Sequence, residues 1–340
     1  MNFKKICLVV FLLSVCAASP VMFSNEAIAQ QPEKLVFTAG PAGGAWYGLA
    51  GAVSELIKKK YPDLVVTVIP GGGVGNPSVV DKGKAQLGLS ISHLYKSAMT
   101  GKDPYTGEHK NIRALLQLGT SDMGIFLVKE DIGLNSIDDV KKKKFPLRLT
   151  TTSKASTPAL AALRLLGEYG VTFDDLKAWG GSVTFTSYAD AASLISDGHA
   201  DAIIAVSVPA VHELVQKVKM KWLAPEEAIV EKMVEKYGYS KNAVPKGAYP
   251  WAAEDSWTIG EPNIIIAATD IPEKVAYTIT KAICESPETI RNFGTHYKDF
   301  DAKSAWKNLG GPMHPGAEKF FREAGYMKSL SCTYCTDAAL

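Results

Sequence analysis

Apolar and polar positions change period several times along this chain, and each change marks an element. Leu35-Val36-Phe37-Thr38-Ala39 reads as a strand, and a glycine-rich turn follows from Gly40 to Gly44. Trp46, Leu49, Val53, Leu56 and Ile57 then recur at helical spacing, and Lys58-Lys59-Lys60 put positive charge at the helix C-terminus, where the macrodipole favours it. Leu64 to Ile69 is a second strand, Pro70 to Gly75 a second glycine-rich turn, and a short helix starts near Pro77. Gln86 to Ile91 is a third strand. This β-α-β-α-β order predicts a parallel sheet with right-handed crossovers.

The pattern recurs downstream. Leu147 to Thr150 reads as a strand, and Pro158 to Tyr169 as a helix with Leu163 and Leu166 on its apolar face and Gly170 at its end. Val183 to Thr186 is a strand, Ala189 to Ser196 a helix and Ala202 to Val206 a strand. An internal echo links the two units. Asp81-Lys82-Gly83-Lys84-Ala85-Gln86 precedes the apolar Leu87-Gly88-Leu89, and Ser196-Asp197-Gly198-His199-Ala200-Asp201 precedes Ala202-Ile203-Ile204. In each, a helix ends at glycine, and Gly-x-Ala-polar opens a buried strand. Met123 to Val128 and Trp257 to Ile259 are expected to cross between the units, and the stretch from Pro272 onward to be mostly helical and to pack back on the first. The expected architecture is α/β with two lobes and a cleft: residues 30–125 begin lobe 1, 126–255 form lobe 2, and 256–340 return to lobe 1.

The first 29 residues belong to neither lobe. Lys4 and Lys5 precede an apolar run from Ile6 to Val15, and Ala27-Ile28-Ala29 forms a small-x-small cleavage site before Gln30, the pattern of a secretory signal peptide. The run is shorter than the roughly 20 apolar residues a membrane span needs. Cys16 raises a lipoprotein alternative, but Val15 occupies the place where a lipobox has a small residue. The formal net charge of +2 falls by one when this segment, with Lys4, Lys5 and Glu26, is removed. So nearly neutral a chain offers no electrostatic reason to expect nucleic acid or a membrane surface as partner. Cys284 lies on an apolar helix face and reads as core. Cys332 and Cys335 have redox-motif spacing but sit in a polar tail, where a small local disulfide or no role fits better. No second pair completes a zinc site.

Ligands of open α/β sheets bind beyond the carboxyl ends of the strands. Gly43, Gly44 and Ala45 precede the first helix, and their small side chains let backbone N–H groups come close to a ligand. Asn76 stands as an N-cap with Pro77 at the first helical position, Thr157 and Pro158 repeat the arrangement, and Ser207 before Pro209 does the same for the next helix. Any one of these is an ordinary cap. Four at equivalent strand ends converge on one cleft and offer it free N–H groups and partial positive charge, which suits an anion. The backbone from Gly73 to Asn76 and the hydroxyls of Ser90, Ser92, Thr151, Thr152, Ser153 and Ser156 add further hydrogen-bonding groups. Trp46 and Tyr47 wall the pocket, unless one packs inward. Lys154 either pairs with a second carboxylate or stays solvated.

Enzyme signatures are missing. There is no Gly-x-Ser-x-Gly elbow and no His-Glu-x-x-His. Gly71-Gly72-Gly73-Val74-Gly75-Asn76 lacks the Gly-Lys-Ser/Thr ending of a P-loop and the third glycine of a dinucleotide fingerprint. His199, His212 and His314 read as surface or capping residues. No catalytic residue, metal or cofactor is expected.

Gly43-Gly44-Ala45-Trp46-Tyr47, Gly71-Gly72-Gly73-Val74-Gly75-Asn76 and Gly83-Lys84-Ala85-Gln86-Leu87-Gly88-Leu89 resemble the opening motifs of the TAXI family, solute receptors of tripartite ATP-independent periplasmic (TRAP) transporters. Asp197-Gly198-His199-Ala200-Asp201-Ala202, Val244-Pro245-Lys246-Gly247-Ala248-Tyr249 and the run from Met313 to Gly325 extend the resemblance, in order, over essentially the whole mature chain. It implies a two-lobed, type II-like periplasmic binding fold that closes on an amino acid or small organic acid. The receptor would be a monomer that delivers its solute to TRAP permease membrane subunits. It also implies carboxylate binding without a fixed arginine. Departures from the family pattern fall at Gly73, where the family has Ser, at Gly75, where it has Glu, at Gln86, where it has an acidic residue, and at Lys154-Ala155-Ser156-Thr157-Pro158, where it has a Gly-Ser-Gly-Thr-like turn. The alternative is a sensor whose lobes close on a solute and dock on a membrane kinase.

Overall fold

The computed structural model describes residues 33–41 and 44–327. The expected signal peptide, Gly43, Cys332 and Cys335 lie outside the described residues. The first unit runs β1 (Glu33–Thr38), α1 (Ala45–Lys60), β2 (Leu64–Ile69), α2 (Asn76–Asp81), β3 (Leu87–Ile91) and α3 (Ser92–Thr100). β1 pairs in parallel with both β2 and β3, as the alternation of periods predicts. All five residues of β3 are buried, the mark of a strand covered on both faces.

The chain then leaves the first sheet along β4 (Ile112–Met123), turns at Gly124 and enters a second sheet as β5 (Ile125–Lys129). Gly124 has φ +75°, a left-handed conformation that glycine adopts without a Cβ penalty. The second unit follows: α4 (Asp138–Lys142), β6 (Arg148–Thr151), α5 (Thr157–Glu168), α6 (Phe173–Ala178), β7 (Ser182–Phe185), α7 (Tyr188–Ser196), β8 (Ala202–Ala205), α8 (Pro209–Lys217), β9 (Met220–Trp222) and α9 (Glu227–Tyr237). Its sheet has the order β7-β6-β8-β5-β9. The return path is β10 (Ser240–Val244) and β11 (Ser256–Ala268). β11 runs antiparallel to β4 from Ile259 opposite Met123 to Ala268 opposite Ile112, with β10 and then β3 on its other flank. The expected crossing at Met123–Val128 is the last residue of β4, the Gly124 turn and most of β5, and that at Trp257–Ile259 lies near the start of β11. By hydrogen bonding β10 belongs to the first sheet. Its neighbours Tyr239 and Ile259 pack in the second lobe's core.

Last come α10 (Glu273–Cys284), α11 (Pro287–Arg291) and α12 (Pro315–Glu323). Val275, Ala276, Ile279, Ala282 and Ile283 make an apolar stripe on α10. That stripe, with Phe320 and Phe321 of α12, packs in the core that also holds Leu49, Val53 and Ile57 of α1. Cys284 is buried there too. In the second lobe Leu165 and Leu166 of α5 meet Phe126, Val128, Leu149 and Ile204. Leu163 departs from expectation: it lies at the edge of the stripe and is 45% exposed.

The internal echo has a structural counterpart. Gly83 and Gly198 both take positive φ. Ala85 and Ala200 are both buried beneath their turns. The next side chain then accepts a hydrogen bond from the central strand: Gln86 Oε1 from the Val36 N–H at 2.9 Å, and Asp201 Oδ2 from the Arg148 N–H at 3.2 Å. Each turn thus pins its unit's third strand beside its first.

Candidate functional site

Both sheets share one local order, β2-β1-β3 in the first and β7-β6-β8 in the second. In each, the chain steps to one side of a central strand and then to the other. The carboxyl ends of such strands are where α/β folds place ligands. Here the two sets of ends face one another across a cavity of about 80 Å³. Gly40, Pro41, Gly44 and Ala45 approach it from beyond β1, and Gly72 and Gly73 from beyond β2. Thr152, Ser156, Thr157 and Pro158 enter from beyond β6, and Val206 and Val208 from beyond β8.

The lobes touch at its rim. Val74 donates its N–H to Ala155 O at 3.2 Å. A Cβ on Gly72 would stand 2.7 Å from the same carbonyl, so only glycine permits this approach. Opposite, His296 Nε2 lies 3.2 Å from Ser207 O. A third bridge joins Arg164 of α5 to Asp103 of lobe 1 at 2.7 Å.

The expected site residues divide into groups. Gly44, Ala45, Trp46, Gly73, Thr152, Ser156 and Thr157 line the cavity together. Tyr47 does not; it packs on the lobe 1 core. Asn76 is fully buried behind the turn and is not the cap of α2, since Gly75 holds that position. Its side chain instead ties three segments: Nδ2 donates to Ala39 O and Leu89 O at 2.7 Å, and Oδ1 accepts from the Gly72 N–H and from Thr38 Oγ1 at 2.9 Å. Ser90 sits buried below Gly73, and Ser92 is buried at the start of α3. Ser153 is exposed. Ser207 Oγ pairs with His212 Nε2 at 2.8 Å, and Val208 rather than Ser207 caps α8. Ser156, not Thr157, caps α5: its Oγ accepts from the Ala159 N–H and is 2.5 Å from Thr152 Oγ1. Lys154 lies over the Phe185 ring, away from the cavity.

Helix ends supply much of the local field. α1 and α8 begin at the cavity with no side-chain cap; α8 opens on Pro209, which has no N–H, and its Val211 N–H is taken by Val208 O, so Ala45 of α1 and Ala210 of α8 carry N–H groups left for something else. N-termini in that state favour an anion. Among the described residues, no lysine or arginine lines the cavity.

Sequence reasoning missed the floor. Ser121 and Met123 on β4, Glu261 and Asn263 on β11, Tyr188 at the start of α7, and His296 and Tyr297 all line it. Burial raises the Tyr188 phenol above its ordinary range; the Val206 backbone opposes this and the Glu261 charge adds to it. Burial does the same to Tyr297, with Trp46 opposing. Both phenols are therefore neutral at pH 7 and can donate. His212, behind Ser207, is held below its ordinary value by burial and by His296. One signal in the sequence pointed to the floor: Glu261 and Asn263 interrupt an otherwise apolar strand between Ile259 and Ile264.

Residues 37–325 match the model of the NMT1-like family. Among solved structures the chain is similar to MatC from Rhodopseudomonas palustris, solved with bound malate, at 11% identity and a TM-score of 0.51, covering 86% of this chain and 98% of that one. It is also similar to a TctC solute-binding protein from Polaromonas, solved with no ligand (18% identity, 88% and 100% covered, TM-score 0.48). A third is the alkanesulfonate-binding protein SsuA from Xanthomonas axonopodis pv. citri, bound to MOPS (14%, 88% and 82%, 0.45). The likeness to MatC is one of fold, and it agrees with the two α/β lobes described above.

Proposed function

The chain belongs to the NMT1-like family, and from that premise we propose that it is a periplasmic solute receptor of a transporter rather than an enzyme. It captures a small carboxylate-bearing solute, an amino acid or organic acid, between lobes drawn from residues 30–125 with 256–340 and from 126–255. It then delivers the solute to the membrane subunits of a TRAP-type permease, as the TAXI-like motifs imply. The observation that carries this reading is the cavity at the facing strand ends, on which the uncapped N-termini of α1 and α8 open. In the proposed site, Ala45 and Gly73 offer backbone donors, Gly44 holds the turn with its N–H on Pro41 O, Thr152, Ser156 and Thr157 offer hydroxyls, and Trp46 forms a wall. Asn76 and Ser90 hold the second turn in place from behind. Lobe closure excludes water and strengthens each of these hydrogen bonds.

A thermal-shift screen of the purified protein tests the reading, with amino acids, mono- and dicarboxylates, and neutral sugars as controls. A ligand at 100 times its Kd adds about 2.7 kcal/mol of stability, which raises the melting temperature by several degrees. A selective rise with one carboxylate-bearing solute is the expected result. Equal responses to sugars and acids, or none at all from folded protein, would sink it.

A further inference from the structure

Nine buried side-chain nitrogen and oxygen atoms have no hydrogen-bond partner among the described residues, and five of them belong to three neighbours: His93, Glu261 and Asn263. Such groups are strongly unfavourable unless something partners them. Glu261 and Asn263 are both fully buried, and both line the interlobe cavity. They stand two residues apart on β11, so their side chains share one face of the strand. Ser121 lies opposite Glu261 on β4. The Asn263 amide donates to Ser121 Oγ at 2.8 Å, which leaves Asn263 Oδ1 as an acceptor without a donor. Both Glu261 oxygens are in the same condition. His93 Nε2 approaches Glu261 Oε1 to 3.5 Å without forming a hydrogen bond, and His93 does not line the cavity.

The floor of the cavity is thus a cluster of three acceptor atoms, one carboxylate among them, in a pocket that no lysine or arginine lines among the described residues. A ligand that is only an anion would bring a second negative charge to Glu261. A protonated amine would bring both the charge and the several N–H donors that these oxygens lack.

We propose that Glu261 and Asn263 form an ammonium subsite, and that the solute is therefore a zwitterion of the amino-acid class rather than a simple carboxylate. The inference rests on the reading of the cleft as a carboxylate-holding solute site and refines it. The solute's carboxylate faces the N-termini of α1 and α8, and its ammonium group sits on the β4–β11 floor. Opposite charges at two ends of one enclosed pocket select by attraction and by repulsion together.

The test compares glycine, L-alanine, L-glutamate and L-glutamine with their deaminated counterparts acetate, propionate, glutarate and glutaramate. Binding to the purified protein is followed by thermal shift and calorimetry, with and without sodium chloride. At least one amino acid is expected to bind, in sodium-free buffer, at least about thirtyfold more tightly than its deaminated counterpart. That factor is what loss of one partner of a buried charge pair typically costs. Glu261→Gln should lower affinity for that amino acid by a similar factor and leave the weak binding of the counterpart unchanged or improved. A deaminated acid that binds as well as its amino acid would overturn the proposal and leave the solute-receptor reading standing. So would amino-acid binding that Glu261→Gln does not weaken, or binding that appears only with sodium, which would assign the floor to an inorganic cation. Silence from both series would overturn the two readings together. The wild-type comparison decides the question even where Glu261→Gln folds poorly.

Discussion

Asn76 shows how one side chain can serve a pocket it does not line. Each of its four short hydrogen bonds satisfies a group buried where the ends of β1 and β3 meet the turn after β2. Asn76→Ala would leave the Gly72 N–H, Ala39 O, Leu89 O and Thr38 Oγ1 without these partners. Unsatisfied buried groups cost about 1–3 kcal/mol each, so a loss of about 3 kcal/mol in unfolding free energy is expected, measured by denaturant titration without ligand. Ser153→Ala, at an exposed hydroxyl, should stay within about 0.5 kcal/mol of the parent. If Asn76→Ala unfolds at the parental midpoint, the scaffolding role is wrong. The residue type was legible in the sequence, and its task was not. An asparagine before a helical proline looks like a cap. What redirected it was the nearness of β1 and β3, a tertiary fact. Glu261 was hidden for a related reason: a strand residue's neighbours are set by register, and the pairing of β11 with β4 spans more than 130 residues of chain.

At the scale of elements, strands and helices of the two parallel units fell within a residue or two of their expected places, because their hydrophobic periods are clear and glycines punctuate them. Caps were displaced by one residue, from Thr157 to Ser156 and from Ser207 to Val208. Sequence alone marks a helix start less sharply than its core face. His314 is a cap that sequence did suggest. It is 2% exposed, and its Nδ1 accepts from the Gly316 N–H at 3.2 Å at the start of α12. An accepting nitrogen carries no proton, so the cap requires the neutral ring. Burial holds His314 below its ordinary 6.5; the Ile271 backbone and Glu273 oppose this, while Arg113 adds to it. The unfolded chain therefore binds the proton more readily, and this contribution to stability is complete above pH 6.5 and lost as pH falls from 6.5 toward the lower native value. Histidine ring signals followed by NMR should show His314 titrating below 6.5. His314→Asn, which keeps a capping acceptor that does not protonate, should flatten the fall in stability over that window. A native His314 that titrates at or above 6.5 would contradict both statements.

On the scale of the whole molecule, the sequence conveyed two lobes and a cleft, since repeated β-α-β units and a C-terminal helical return are local patterns. It did not convey how the lobes hold each other. Among the described residues the bridges around the cleft include Val74 to Ala155, His296 to Ser207, and Arg164 to Asp103. The last joins residues from unrelated stretches of chain. Arg164 is nearly buried, with its guanidinium 4.5 Å from the centre of the Tyr237 ring, whereas the Asp103 side chain is 75% exposed. Tyr237 belongs to the same lobe as Arg164, so that stacking survives when the lobes part, and of these two Arg164 contacts the pair with Asp103 is the one that distinguishes the closed arrangement from an open one. With one partner in water the pair contributes about 1 kcal/mol. Apparent affinity scales with the population of the binding-competent state, so Asp103→Ala should weaken solute binding about fivefold, chiefly through faster release. Thermal stability of the ligand-free protein should scarcely change. Lys177→Ala, which breaks the exposed pair with Asp174 inside one helix of lobe 2, should leave affinity as it was. Stopped-flow dissociation of the two variants separates the cases: equal release rates would mean that the Arg164–Asp103 bridge decorates the closed cleft without helping to hold it shut.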